Sequence, residues 1–227
     1  MLNSHPILAS GLAGYACAVV LSSLPFGPVN LTILNEGARR GFLWAVMIGL
    51  GASTMECTYC ALSFTGFSSF FNGGPVKAAM EAFSCIFIVF IGLKFLLAKT
   101  VKTHSKLAIA SEKLEARLEQ KLHPHSGYMT GLVRVMGNLG VLLFWIFWAA
   151  YLLSHDWVDN TLPAKAACVL GVALGTNTWF ILLSFGVSRG YGKMSEPGLL
   201  RMQHLSGVVL IVFGLAQIAL KLAGFKI

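Results

Sequence analysis

Charge is what this sequence has least of. Only 11% of its 227 residues are Asp, Glu, Lys or Arg, 56% are hydrophobic, and the mean hydropathy is +0.73. A soluble domain of this length could not cover so much apolar side chain with so little charge, so the expected solvent is lipid and no enzyme fold is expected. The net charge of +8 would suit nucleic acid in a soluble chain. In a membrane chain it reflects basic cytoplasmic loops, so no nucleic-acid partner is expected.

Other absences narrow the reading. Cys17, Cys57, Cys60, Cys85 and Cys168 all lie in apolar runs and read as small buried residues, not as a disulfide framework. No histidine falls in the apolar centre of a span; His104, His123 and His125 lie in a polar loop, so neither a metal site nor a cofactor is expected. The N-terminus has no basic region and no small-residue cleavage pattern, so the first apolar run is expected to stay in the membrane.

What the chain does have is apolar length. Six runs are long enough to span a bilayer: residues 6–24 with a continuation to 36, then 42–64, 76–97, 128–153, 162–187 and 205–222. Thirteen basic residues fall in or beside the loops after spans one, three and five, and four on the other side. The positive-inside rule then places both termini outside and the loop 98–127 in the cytoplasm. Within that loop Leu107, Leu114, Leu118 and Leu122 recur at helical spacing, which predicts an amphipathic helix on the inner leaflet.

The two halves resemble each other. Residues 86–99 (IFIVFIGLKFLLAK) match 209–221 (VLIVFGLAQIALK), and Gly49 and Gly51 correspond to Gly171 and Gly175. The expected fold is therefore all-α and polytopic, six transmembrane helices as a 3+3 inverted repeat. Residues 1–97 and 128–227 are the two units, and 98–127 the linker. An odd number of spans per unit inverts the second against the first, which is a transporter device. Gly171 and Gly175 also have the small-residue spacing that packs helices, within one chain or in a homo-oligomer.

The stretch Pro25-Phe26-Gly27-Pro28-Val29-Asn30 breaks the first span. Pro28 lacks an amide hydrogen, Pro25 disfavours helix at Leu24, and Gly27 lets a backbone or ligand come close. A helix restarting at Val29-Asn30-Leu31 would present free amides suited to a carboxylate. The corresponding interruption in the fourth span is Arg134-Val-Met-Gly-Asn138, where Arg134 and Asn138 share a helix face. For Arg134 the competing reading is a side chain reaching the cytoplasmic surface. Glu56 lies mid-way along the second span with no basic residue near it in sequence, and is a candidate proton carrier or counter-ion. Asn177 and Trp179 in the fifth span are candidates for the same cavity.

At these residues the sequence resembles the LysE-type amino-acid exporters. Gly27-Pro28-Val29-Asn30 is similar to the family's Gly-Pro-x-Asn, Gly37 to Gly41 to its glycine and basic residues before the second span, and Glu56 to its mid-span acid. Trp179 matches its fifth-span tryptophan, and Asn138-Leu139 stands where it has Asn-Pro, so the fourth span is expected to be less broken than the first. The resemblance implies an inner-membrane secondary exporter of amino acids or similar solutes, exchanging them for protons. Its substrate-binding residues would be Gly27, Pro28, Asn30, Arg134, Asn138, Asn177 and Trp179, with Glu56 in proton coupling. The alternative is a heavy-metal exporter using Glu56 with Cys57 and Cys60, since thiolates and a carboxylate suit soft cations.

Overall fold

The computed structural model describes residues 6–23, 28–67, 75–99, 106–191 and 196–222, all of them helical or in short connections. The helices are α1 (Pro6–Ser23), α2 (Pro28–Arg40), α3 (Phe42–Phe67), α4 (Pro75–Leu96), α5 (Lys106–Leu122), α6 (Gly127–Met136), α7 (Leu139–Ser154), α8 (Leu162–Gly186) and α9 (Glu196–Leu222), with a π-helical turn at Val187–Tyr191.

The long helices α3 and α8 have no polar side, since apolar residues surround them on every face. Their outer faces carry Leu43, Leu62, Leu170 and Leu174, all exposed, a pattern that suits lipid and not water. Among the described residues three helical stretches are long and apolar enough to cross a membrane: Phe42–Gly66, Leu162–Arg189 and Gln203–Leu220. The bent pair α6–α7 is a fourth candidate, and the described apolar stretches of α1 and α4, Ile7–Val20 and Cys85–Leu96, are shorter.

Small residues set the packing. A side chain at Gly14 would strike the Cys168 backbone, and one at Gly131 the Ile48 backbone, so α1 closes on α8 and α6 on α3. Without a hydrophobic drive between helices in lipid, such close backbone approach supplies the attraction. α3 also packs on α8, α4 on α9, α2 on α3 and α8, and α7 on α3 and α4. The buried core runs through this contact zone, with Ala45, Ile48 and Ala52 on α3, Trp145 and Trp148 to Leu153 on α7 and Val172 on α8.

Two features differ from expectation. The fourth span bends by 69° between α6 and α7, although Leu139 stands where proline was expected. The break does not need proline because Asn138 caps α7: its Oδ1 accepts from the amides of Gly140 (3.0 Å) and Val141 (3.2 Å). The linker helix α5 also docks on α6 and α7, with Ser111 and Glu115 buried, where a leaflet-bound helix would keep its acids in water. Its leucines are split, with Leu114 and Leu118 half-buried and Leu122 exposed.

Candidate functional site

A cavity of about 390 Å³ lies where α2, α3, α4, α7, α8 and α9 meet. This volume falls in the range of small-ligand sites. Asn30, Glu56 and Asn138, three of the residues singled out from the sequence, line it together. Glu56 projects from α3 and makes no hydrogen bond or ion pair with the described residues. A carboxylate without a partner in a membrane protein's interior is open to a proton or a cation.

The first break is held together by Asn30. From the first turn of α2 its Nδ2 donates to the carbonyl of Ser22 on α1 (3.1 Å), and its Oδ1 accepts from Trp179 Nε1 on α8 (3.3 Å). The Ser22 carbonyl is one of the last in α1, which no intrahelical amide can satisfy, so the bond closes an otherwise orphaned acceptor. Trp179 thus reaches the site through Asn30. Pro28 opens α2, and Gly27 lies outside the described residues.

The second break is closed from α3. The Tyr59 hydroxyl donates to the carbonyl of Met136 (2.9 Å) at the end of α6, and Asn138 caps α7 on the other side. Arg134 does not line the cavity. It pairs with Glu115 (3.2 Å) and Glu119 (2.9 Å) of α5, tying the linker helix to the break. Burial pushes the Glu115 carboxyl above its ordinary value, and the hydrogen bond and charge of Arg134 act against that push.

Asn177 also stands away from the cavity. Its Nδ2 donates to Ser53 Oγ (3.0 Å), which is 2.6 Å from Thr176 Oγ1, so these three side chains join α3 to α8 at their crossing. Cys57 and Cys60 do not line the cavity, and among the described residues no three His, Cys, Asp or Glu side chains are grouped to hold a metal ion.

Several site residues were not foreseen. Lys94 on α4 was counted only as a cytoplasmic charge, yet it lines the cavity and makes no ion pair among the described residues. Its signal lay in the spacing Phe87, Ile91, Lys94, which puts the lysine on one helix face with two other lining residues. Trp145, Trp148, Phe144 and Phe180 form much of the wall, and nothing in an apolar run separates such rings from ordinary core. The indole Nε1 of Trp145 is buried and finds no hydrogen-bond partner among the described residues.

Helices with apolar outer faces, two interrupted elements and a cavity between them define a multi-pass membrane protein of the translocator type. The LysE type translocator model matches residues 20–220, and the chain belongs to that family. It is also similar, at 24% identity over 193 residues, to a Bacillus subtilis (strain 168) protein named "Putative amino acid efflux protein YcgF", over 85% of this chain and 87% of that one. No solved structure matches the chain. Members of the family are translocators.

Proposed function

We propose that the protein exports amino acids from the cytoplasm across the inner membrane by proton-coupled alternating access. The observation that carries this reading is Glu56, unpaired, in one cavity with the asparagines of both helix breaks. A proton and a substrate ammonium compete for the same carboxylate. Proton binding from outside expels the amino acid, and proton loss to the cytoplasm makes the site ready to load, which gives antiport without a second ion site.

The 3+3 inverted repeat with six spans supports the alternation. Exchanging the two halves turns the packing of α1 on α8 into that of α6 on α3, and the packing of α2 on α8 into that of α7 on α3, whereas α2 on α3 and α4 on α7 have no counterpart of similar extent among the described residues. The pairs α3–α8 and α4–α9 map onto themselves, and the Ser53–Thr176 hydrogen bond lies at the α3–α8 crossing. Such a frame has two related arrangements about one central site, which is what rocking needs. Its cytoplasmic side is the one that carries α5.

Efflux of labelled amino acids from proteoliposomes under an imposed proton gradient tests the reading. Efflux that rises with the gradient and collapses with a proton ionophore supports it, and efflux indifferent to both sinks the coupling. A cysteine at Lys113, exposed on α5, should be labelled only after cells are opened. Labelling in intact cells would reverse the orientation.

A further inference from the structure

We propose that the cargo is a net-neutral amino acid with a bulky apolar side chain; the inference rests on the export reading above. Among the described residues that line the cavity only Glu56 and Lys94 are charged. Neither has an ion-pair partner among the described residues, and they do not pair with each other. The Glu56 carboxylate of α3 and the exposed Lys94 ammonium of α4 match the two charges of an amino-acid zwitterion, with its ammonium at Glu56 and its carboxylate towards Lys94.

The count leaves nothing for a third charge. A lysine, arginine, glutamate or aspartate side chain would enter without a counter-ion, and an uncompensated charge in an apolar site is costly. The rest of the wall favours an apolar side chain. Phe87 and Phe147 meet with ring centroids 3.8 Å apart, and Phe144 stacks on Trp148 at 6.0 Å. Asn30 already spends both ends of its amide on the first break and Asn138 its Oδ1 on the second, so a side-chain hydroxyl finds few partners beyond the Asn138 Nδ2. The volume of about 390 Å³ leaves room for a ring or a branched chain beside the backbone groups.

The test is a substrate panel on the wild-type protein, which does not depend on any variant folding. Proteoliposomes are loaded with labelled phenylalanine, leucine, threonine, lysine or glutamate, and efflux is driven by a proton gradient. Phenylalanine and leucine should be exported about 100-fold more efficiently than lysine or glutamate, and about tenfold more than threonine. Lysine or glutamate leaving as fast as leucine overturns the substrate class while export itself stands. No amino acid leaving, together with no leucine binding to the detergent-solubilised protein, overturns both. Val141→Phe, which fills the cavity, should lower phenylalanine export about tenfold relative to alanine. An unchanged ratio between the two removes the side chain from this cavity.

Discussion

The two helix breaks reach the same end by opposite chemistry. At the first, the sequence disfavours helix: Pro25 and Pro28 each lack an amide donor, and α2 opens at Pro28. At the second it adds an alternative to helix, because Asn138 offers a side-chain acceptor that satisfies two amides of α7. Each break then borrows a donor from a long helix of the opposite half, Trp179 of α8 for the first and Tyr59 of α3 for the second. A break is therefore defined by where its orphaned backbone groups find partners, and proline is only one way to create them.

Asn30 and Asn138, one from each break, share the cavity with Glu56, so changing it should have the largest effect. Glu56→Gln keeps the size of the side chain and loses the charge. Gradient-driven export should disappear, and substrate affinity should fall about 10- to 100-fold, the worth of a charged hydrogen bond. If the variant binds normally but does not respond to the gradient, Glu56 carries the proton alone and the ammonium sits elsewhere. Wild-type export would remove Glu56 from the mechanism.

Arg134 separates the breaks next, since only the second is tied to the linker helix. Arg134→Met leaves Glu115, 4% exposed, without its cation. Unfolding stability should drop by about 2 kcal/mol, measured by thermal melting in detergent, while equilibrium substrate affinity stays the same. A loss of affinity at unchanged stability would instead return Arg134 to the substrate.

Much of this arrangement was legible in the sequence because it rests on local chemistry. The apolar runs gave the helices, the prolines the first interruption, and the position of Glu56 its place on the cavity. The second break was underestimated because proline was weighed and the capping power of Asn138 was not. Arg134 and Asn177 drew attention as polar groups in apolar runs, but their partners, Glu115, Glu119 and Ser53, are distant in sequence or on other helices. Lys94 was hidden for the same reason in reverse. Its meaning depends on which helix face α4 turns to the cavity, and packing against α9 and α7 decides that.

The asparagines sharpen the comparison at a smaller scale. Asn138→Ser retains an N-cap oxygen and deletes the amide donor, so stability should change by only a few tenths of a kcal/mol. If the amide touches the substrate, affinity should fall about fivefold. Asn30→Ala has no such substitute: the Ser22 carbonyl and the Trp179 indole both lose their partner, so stability should fall by about 2 kcal/mol along with affinity. Equal melting temperatures for the two variants would mean that the breaks are not held in different ways.

The smallest effect is expected from giving the second break the proline that the first one has. Leu139 is the first residue of α7, where an amide hydrogen has no intrahelical acceptor and the fixed φ of proline suits a helix start. The capping bonds to Asn138 come from Gly140 and Val141, so Leu139→Pro removes neither. Asn138 already has φ −90° and ψ 91°, in the extended region that a following proline favours. The variant should therefore fold, melt within about 1 kcal/mol of wild type or slightly above it, and export at a near-normal rate. A destabilisation of several kcal/mol would show that α6 and α7 straighten during the cycle, because a permanent proline would then oppose one of the two states. Stability unchanged with export lost would locate that straightening in the transport step itself.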